Sequence, residues 1–180
     1  MIDSISQSRL SLVHPILDAI VGLLVLDFEE QEPGDTLIVV QGLRSWALQE
    51  KLWLQGRDGS GKVIDPGKVV THAPPGYSWH EFGLAVDVVP KSLITIQGWQ
   101  PTSPLWNLIA TLGMQRGLAS GSCWHHQDLP HLQITGKFGV TPDDSVRQMY
   151  LNNGGRLQPI WDASGIAEAA ERAQQQVNVD

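Results

Sequence analysis

Apolar positions along this chain recur with two periods, one helical and one alternating, and the switches between them outline its elements. Over residues 14–28, Ile16, Leu17, Ile20, Leu23 and Leu24 return at helical spacing behind Pro15, so the stretch predicts a helix with proline in its opening turn. After a Pro33-Gly34-Asp35 turn, residues 36–41 are β-branched and predict a strand. Ser45 is suited to cap a helix over 46–55, which Gly56 closes. Residues 57–77 are rich in glycine and proline and read as a long loop, of the kind that lines functional clefts. The run 84–89 reads as a buried strand, with Ala85 and Asp87 on one face and Leu84, Val86 and Val88 on the other. Residues 90–101 form a second loop. Ser103-Pro104 then opens a helix to Arg116 that packs Trp106, Ile109, Ala110 and Leu112 and stops at Gly117. Residues 121–130 are irregular, and 131–135 alternate like a short strand. Thr141-Pro142-Asp143-Asp144 starts a further helix, with both acids where the helix dipole favours them, and it ends near 153–155. A marginal helix over 163–176 and a frayed end over 177–180 complete the chain.

Helices and strands of these kinds predict an α+β fold, and 180 residues make one compact domain the default. A single cysteine excludes an internal disulfide framework, and Cys123 is read as a buried thiol rather than a ligand. The net charge of −7 argues against nucleic acid as a partner. Residues 1–10 carry one arginine and no apolar core, so no secretory signal is expected there. The apolar stretch 16–26 is interrupted by Asp18 and too short to span a bilayer, so no stable membrane insertion is expected. No Gly-x-Ser-x-Gly and no phosphate-binding loop is present, and Cys123 sits in no cysteine-peptidase pattern.

The chemistry concentrates in Ser78-Trp79-His80-Glu81-Phe82-Gly83-Leu84-Ala85-Val86-Asp87 and Asp128-Leu129-Pro130-His131. Two histidines and an aspartate suit a catalytic zinc, which takes three protein ligands at about 2.0–2.2 Å. Seven residues of strand would separate His80 from Asp87 by about 23 Å and seven of helix by about 10 Å, so the chain must bend between them. Gly83 is the residue that permits the bend. An aspartate in so apolar a run needs a partner, which a cation would supply. For the third ligand, His131 competes with His72, His125 and His126; Pro130 and the alternation of Leu132 and Ile134 hold it in regular structure, whereas the His125-His126 pair reads as solvated or cleft-lining. Asp128 lies at a turn three residues before His131, within reach of a water at such a centre. Arg44 ends a strand and precedes a helix, a position held from both sides.

The pattern S-x-H-x-x-G-x-A-x-D followed by D-x-P-H-x-Q resembles the zinc peptidoglycan peptidases that include D-alanyl-D-alanine carboxypeptidases and L-alanyl-D-glutamate endopeptidases, many phage endolysins among them. The likeness runs from about Val40 to Gln133 and includes Gln41-Gly42-Leu43-Arg44, Gln49, Gly56-Arg57, Val70-Thr71 and Pro75-Gly76-Tyr77-Ser78. It implies a small, mostly antiparallel sheet flanked by helices, with the zinc site at the sheet edge; length and composition place this in one peptidase domain over 1–160 followed by a helical tail over 161–180. It implies Zn2+ held by His80, Asp87 and His131, Asp128 as general base and Arg44 against the developing oxyanion. Ser78 then contacts substrate, and Gln41, Arg57, Tyr77 and Trp124 line the cleft, while Trp46, Trp53 and Trp106 are read as core. The expected substrate is the peptidoglycan stem peptide, with the L-alanyl-D-glutamate bond favoured over D-alanyl-D-alanine, and the expected state a monomer. Without a signal peptide, such an enzyme is made in the cytoplasm and reaches the wall by release through a membrane hole or aboard a phage particle. A non-catalytic zinc-containing wall-binding module is the alternative of another class.

Overall fold

The structure, a computed structural model, describes residues 2–95 and 98–177. In chain order its elements are α1 (Ser4–Leu10), α2 (Pro15–Gln31), β1 (Leu37–Gln41), α3 (Trp46–Trp53), β2 (Ala85–Pro90), β3 (Ile94–Thr95) and β4 (Gly98–Trp99). There follow α4 (Leu105–Gln115), β5 (Ala119–Ser120), β6 (His131–Gln133), α5 (Asp144–Asn152), α6 (Gln158–Ser164) and α7 (Ile166–Val177). The class is α+β. Four antiparallel strands form one sheet in the order β1-β2-β6-β5, and β3 pairs with β4 inside the stretch expected as a plain loop. The expected fraying over 178–180 lies outside the described residues.

Helix α2 begins as its sequence dictates, with Pro15 in the first turn and the His14 ring accepting the Ile16 N–H at 3.1 Å. Its buried stripe is Leu17, Val21, Leu24, Val25 and Phe28. Leu23, expected inside, is 47% exposed, because it lies about 100° around the helix from Leu24. Full burial of a side chain such as Leu17 or Phe28 contributes about 2 kcal/mol. Helix α1 was not foreseen. Asp3 caps it through the N–H groups of Ile5 and Ser6. It then covers the outer edge of β1: the Ser6 hydroxyl accepts the Val39 N–H at 2.9 Å, and Arg9 donates to the Val39 carbonyl at 2.6 Å. An open edge strand would leave those groups unpaired.

The sheet has two unlike faces. Val86, Val88 and Leu132 pack with the α2 stripe and with Trp106, Ile109 and Leu112 of α4. On the other side Ala85 joins Trp79, Phe82 and Leu84 in a second cluster with Val146 of α5, Ile160 of α6 and Ile166 at the start of α7. Leu84 was expected beside Val86. It goes to the opposite cluster because the strand begins only at Ala85, after the turn at Gly83. Residue 160, read as the end of the domain, lies inside α6 and is fully buried, and Ile166 is 3% exposed. Of three tryptophans expected in the core, Trp106 is buried, whereas Trp46 and Trp53 are half-buried. Trp46 stacks on Tyr150, and Arg57 lies over the Trp53 ring.

Candidate active site

The three expected ligands meet, and they meet on the two inner strands rather than at the sheet edge. Asp87 on β2 stands directly opposite His131 on β6, and opposite Gln41 on β1 across the other ladder. A bulge between Val39 and Gln41 brings β1 into that register. His80 arrives from a 3-10 turn at Trp79–Phe82, ended by Gly83 at φ +67°, a left-handed conformation that glycine adopts without steric cost. The bend inferred from spacing is therefore one short turn and one glycine.

Within the cluster His80 Nε2 is 3.1 Å from Asp87 Oδ1 and 3.2 Å from His131 Nδ1, and Asp87 Oδ1 is 3.4 Å from His131 Nδ1. The far side of each ring is accounted for. His80 Nδ1 lies 3.0 Å from the Gly42 carbonyl, which can only accept, so that nitrogen carries the hydrogen. His131 Nε2 lies 2.9 Å from Gln133 Oε1, and the Gln133 amide is oriented by donating to the Val140 carbonyl at 2.9 Å. His80 Nε2, His131 Nδ1 and one oxygen of Asp87 are then left as three acceptors facing one another in a buried place. A proton or a cation shared among them would satisfy such an arrangement, and two imidazoles with a carboxylate are a donor set that suits zinc. Among the described residues, this is the one group of three or more histidine, cysteine, aspartate or glutamate side chains whose ligand atoms converge in this way.

Burial works to raise the Asp87 carboxyl, but His80 and His131 override it and hold Asp87 far below the ordinary carboxylate range. Burial lowers His80, with Asp87 opposing. At His131 burial also lowers, but the hydrogen bond and charge of Asp87 win and raise it. The three groups therefore shift one another, with Asp87 kept ionised by the two rings.

Around this cluster the expected residues divide. Arg44 is mostly buried: it donates to Gln49 Oε1 at 2.9 Å and approaches Asp87 Oδ2 at 3.5 Å, and its Nε has no partner. Its backbone N–H donates to the His80 carbonyl, which joins the end of β1 to the ligand turn. Asp128 opens onto the same cavity, of about 490 Å³, as the three ligands and Arg44. Crowding by the cleft walls, then the charge of Asp87, pushes the Asp128 carboxyl above its ordinary range, against the pull of His131, His80 and Arg44. Ser78 and Tyr77 line this cavity, and the Trp124 ring lies 4.8 Å from that of His131. The Tyr77 hydroxyl is already committed, donating to Asp144 at 2.6 Å and accepting from Arg147 at 3.1 Å. Two expected wall residues are elsewhere. The Gln41 amide donates to the Leu43 carbonyl, and Arg57 donates to the Trp53 carbonyl. Cys123, expected buried, is exposed, because Gly121–Cys123 forms a surface 3-10 turn.

Four supporting residues were not given roles from sequence. Gln133 and Gly42 set the two rings. At Gly42 a Cβ would come within 2.7 Å of the Arg9 carbonyl, so only glycine lets α1 sit this close. Gln49 is fully buried and links Arg44 to the Ala73 carbonyl. Glu81 is buried and accepts the N–H groups of Gly76 and Ser78, which fixes the turn that presents Ser78; burial raises its carboxyl despite those bonds. Gly42, Gln49 and Gln133 stand inside the motif letters, but letters carry no partners.

Comparison with known proteins gives a family match over residues 19–113, described as VanY: D-alanyl-D-alanine carboxypeptidase. That is more than half of the chain. The chain belongs to this family. The matched span holds Arg44, His80 and Asp87 and ends before Asp128 and His131. Among curated proteins, the peptidoglycan L-alanyl-D-glutamate endopeptidase CwlK of Bacillus subtilis is 29% identical over 109 residues, covering 56% of this chain. The chain spans 62% of that relative's length. Similar solved structures include the Serratia marcescens L-Ala D-Glu endopeptidase ChiX, at 24% identity and TM-score 0.44, covering 72% of this chain and 86% of that one. The LdcB LD-carboxypeptidase aligns at 24% identity and TM-score 0.48, covering 69% and 66%. No helix among the described residues is long and apolar enough to cross a membrane.

Proposed function

We propose that this protein is a zinc peptidase that hydrolyses an amide bond in the peptidoglycan stem peptide, with the L-alanyl-D-glutamate bond as its substrate. The observation that carries the reading is the convergence of three acceptors, His80 Nε2, His131 Nδ1 and Asp87 Oδ1, with the ring hydrogens held on the far side by Gly42 and Gln133. His80, Asp87 and His131 hold the zinc. When bound there, zinc supplies Lewis-acid polarisation and brings the pKa of water to about 7. Asp128 takes the proton from the attacking water and returns it to the leaving amine, and a carboxyl raised above its usual range is the better acceptor for that task. Arg44, anchored by Gln49, offers its remaining N–H groups to the carbonyl oxygen as negative charge builds on it. Ser78, fixed by Glu81, and the Trp124 ring flank the substrate backbone.

The choice of bond is supported by the activity of the CwlK relative. The family description favours a second reading, removal of the terminal D-alanine by a D-alanyl-D-alanine carboxypeptidase. Purified wall digested with zinc-loaded protein separates them, because new amino-terminal D-glutamate marks the endopeptidase and free D-alanine the carboxypeptidase. Intact wall after digestion, with zinc bound, would leave a wall-binding module instead. The protein acts on the wall as a monomer, after release from the cell or aboard a phage particle; sedimentation of the zinc-loaded protein tests the first point.

A further inference from the structure

The cavity around the ligands is not the whole cleft. Val70, Thr71, Tyr77, Trp124 and Asp128 also wall a second, adjoining cavity of about 810 Å³. Beyond Asp128 its character changes. His72 comes from the 57–77 loop, and His125, His126 and Gln127 from the 121–130 stretch. The His72 and His126 rings stack with centroids 4.9 Å apart, and His126 and His125 stack at 4.8 Å and 7° between planes. One column of three imidazoles thus joins two loops that are distant in sequence. All three residues are exposed, and no hydrogen bond among the described residues engages their ring nitrogens. The outer faces of the two end rings and the ring nitrogens of all three are therefore left available at the continuation of a substrate cleft.

We propose that this compartment binds the sugar end of a wall fragment, an N-acetylated amino sugar carrying the stem peptide. The inference rests on the peptidase reading and extends it to the part of the substrate that is not cut. The charge pattern selects the occupant. Among the described residues, no lysine or arginine lines the compartment, Asp128 contributes a carboxylate, and the chain as a whole is at −7. The carboxylates of a stem peptide find no cation there. A neutral ligand of hydroxyls, amides and C–H faces does find partners: the Trp124 ring and the ends of the histidine column offer flat faces, Gln127 Oε1 (its amide nitrogen donates to the Ser122 carbonyl) and the ring nitrogens offer hydrogen bonds, and Val69 and Pro74 offer apolar contact for an acetyl methyl.

The test compares hydrolysis of the bare stem peptide with that of the same peptide on its N-acetylated disaccharide. Wild-type protein and a His125→Ala/His126→Ala double variant are used, both zinc-loaded and checked for metal content and melting temperature. Binding of di-N-acetylchitobiose is read separately from tryptophan fluorescence. The expected wild-type kcat/KM is at least about five-fold higher for the glycopeptide, through KM, as one or two aromatic contacts would give. In the double variant that ratio falls towards one and chitobiose binding is lost. Should that variant not fold, His126→Gln keeps a polar side chain and removes the central ring, with the same expectation. A wild-type ratio of one without chitobiose binding overturns the compartment and leaves the peptidase reading standing, as does a folded variant that keeps the full ratio. If neither substrate is cut while chitobiose binds and the variants lose it, the compartment stands and the peptidase reading falls. If neither is cut and chitobiose does not bind, both fall.

Discussion

The two faces of one sheet have been given opposite tasks. Towards α2 and α4, the central strands present Val86, Val88 and Leu132, and the packing is apolar throughout. Towards α5 and α6 the same strands present Ala85 to an apolar cluster but Asp87, His131 and Gln133 to the cleft. Neighbouring residues of one strand thus differ completely in surroundings: Val86 pairs with Leu132, and Asp87, the next residue, pairs with His131. Strand alternation permits this, because a step of one residue changes face. The apolar face holds the ladder in register, and the ladder sets Asp87 and His131 side by side on the other face. A ligand pair built on loops would need its geometry fixed some other way.

If the faces are separable in this sense, changes on one should leave the other's property intact. The largest effect is expected from Asp128→Ala on the polar face. Wall hydrolysis should fall by about 10²- to 10⁴-fold, while zinc content and melting temperature stay close to wild type. Near-normal turnover would remove Asp128 from the chemistry. Leu132→Ala on the apolar face should do the reverse. Truncating a fully buried leucine costs about 2–5 kcal/mol in denaturant titrations, yet the folded fraction should still bind zinc. Loss of metal affinity from a well-folded Leu132→Ala protein would show the faces are coupled. Gln133→Leu sharpens the comparison, because it releases the His131 ring without touching a ligand. Zinc affinity should weaken about 10- to 100-fold in competition with a chelator. An unchanged affinity would mean that the strand alone fixes the ring.

The smallest effect lies away from both faces. Arg116 holds Asp27 through two hydrogen bonds at 2.5 Å, and that contact keeps the Asp27 carboxyl below its ordinary range. A depressed carboxylate gives stability that is present above its unfolded pKa, about 3.9, and lost as pH falls through the folded value. Arg116→Ala should therefore cost about 1 kcal/mol or less near neutral pH, since the pair is partly exposed. The difference from wild type should shrink in acid melts below about pH 4. A difference that persists there would assign the effect to lost packing of the arginine stem.

Much of the molecule was legible in the chain itself, because local signals are chemical. Pro15 and Ser45 announce helix starts, Gly83 announces a bend, and the run containing Asp87 could only be a buried strand whose carboxylate needed a counter-charge. That His131, rather than its rivals, would converge with His80 and Asp87 followed from alternation and from motif. Other features depend on which segments are brought together. Helix α1 is too short and too polar to show itself, and it exists because its Ser6 and Arg9 close the edge of β1. The site's place on inner strands follows from sheet order, which periodicity does not encode. Which nitrogen of His80 and of His131 faces the centre is decided by a carbonyl at Gly42 and an amide at Gln133, the first of them 38 residues away in the chain. The sequence by itself determined which residue types could hold a cation and which elements would carry them. Only the tertiary structure decided that three of their acceptor atoms face one another, because a lone pair's direction is set by what binds the other end of its ring.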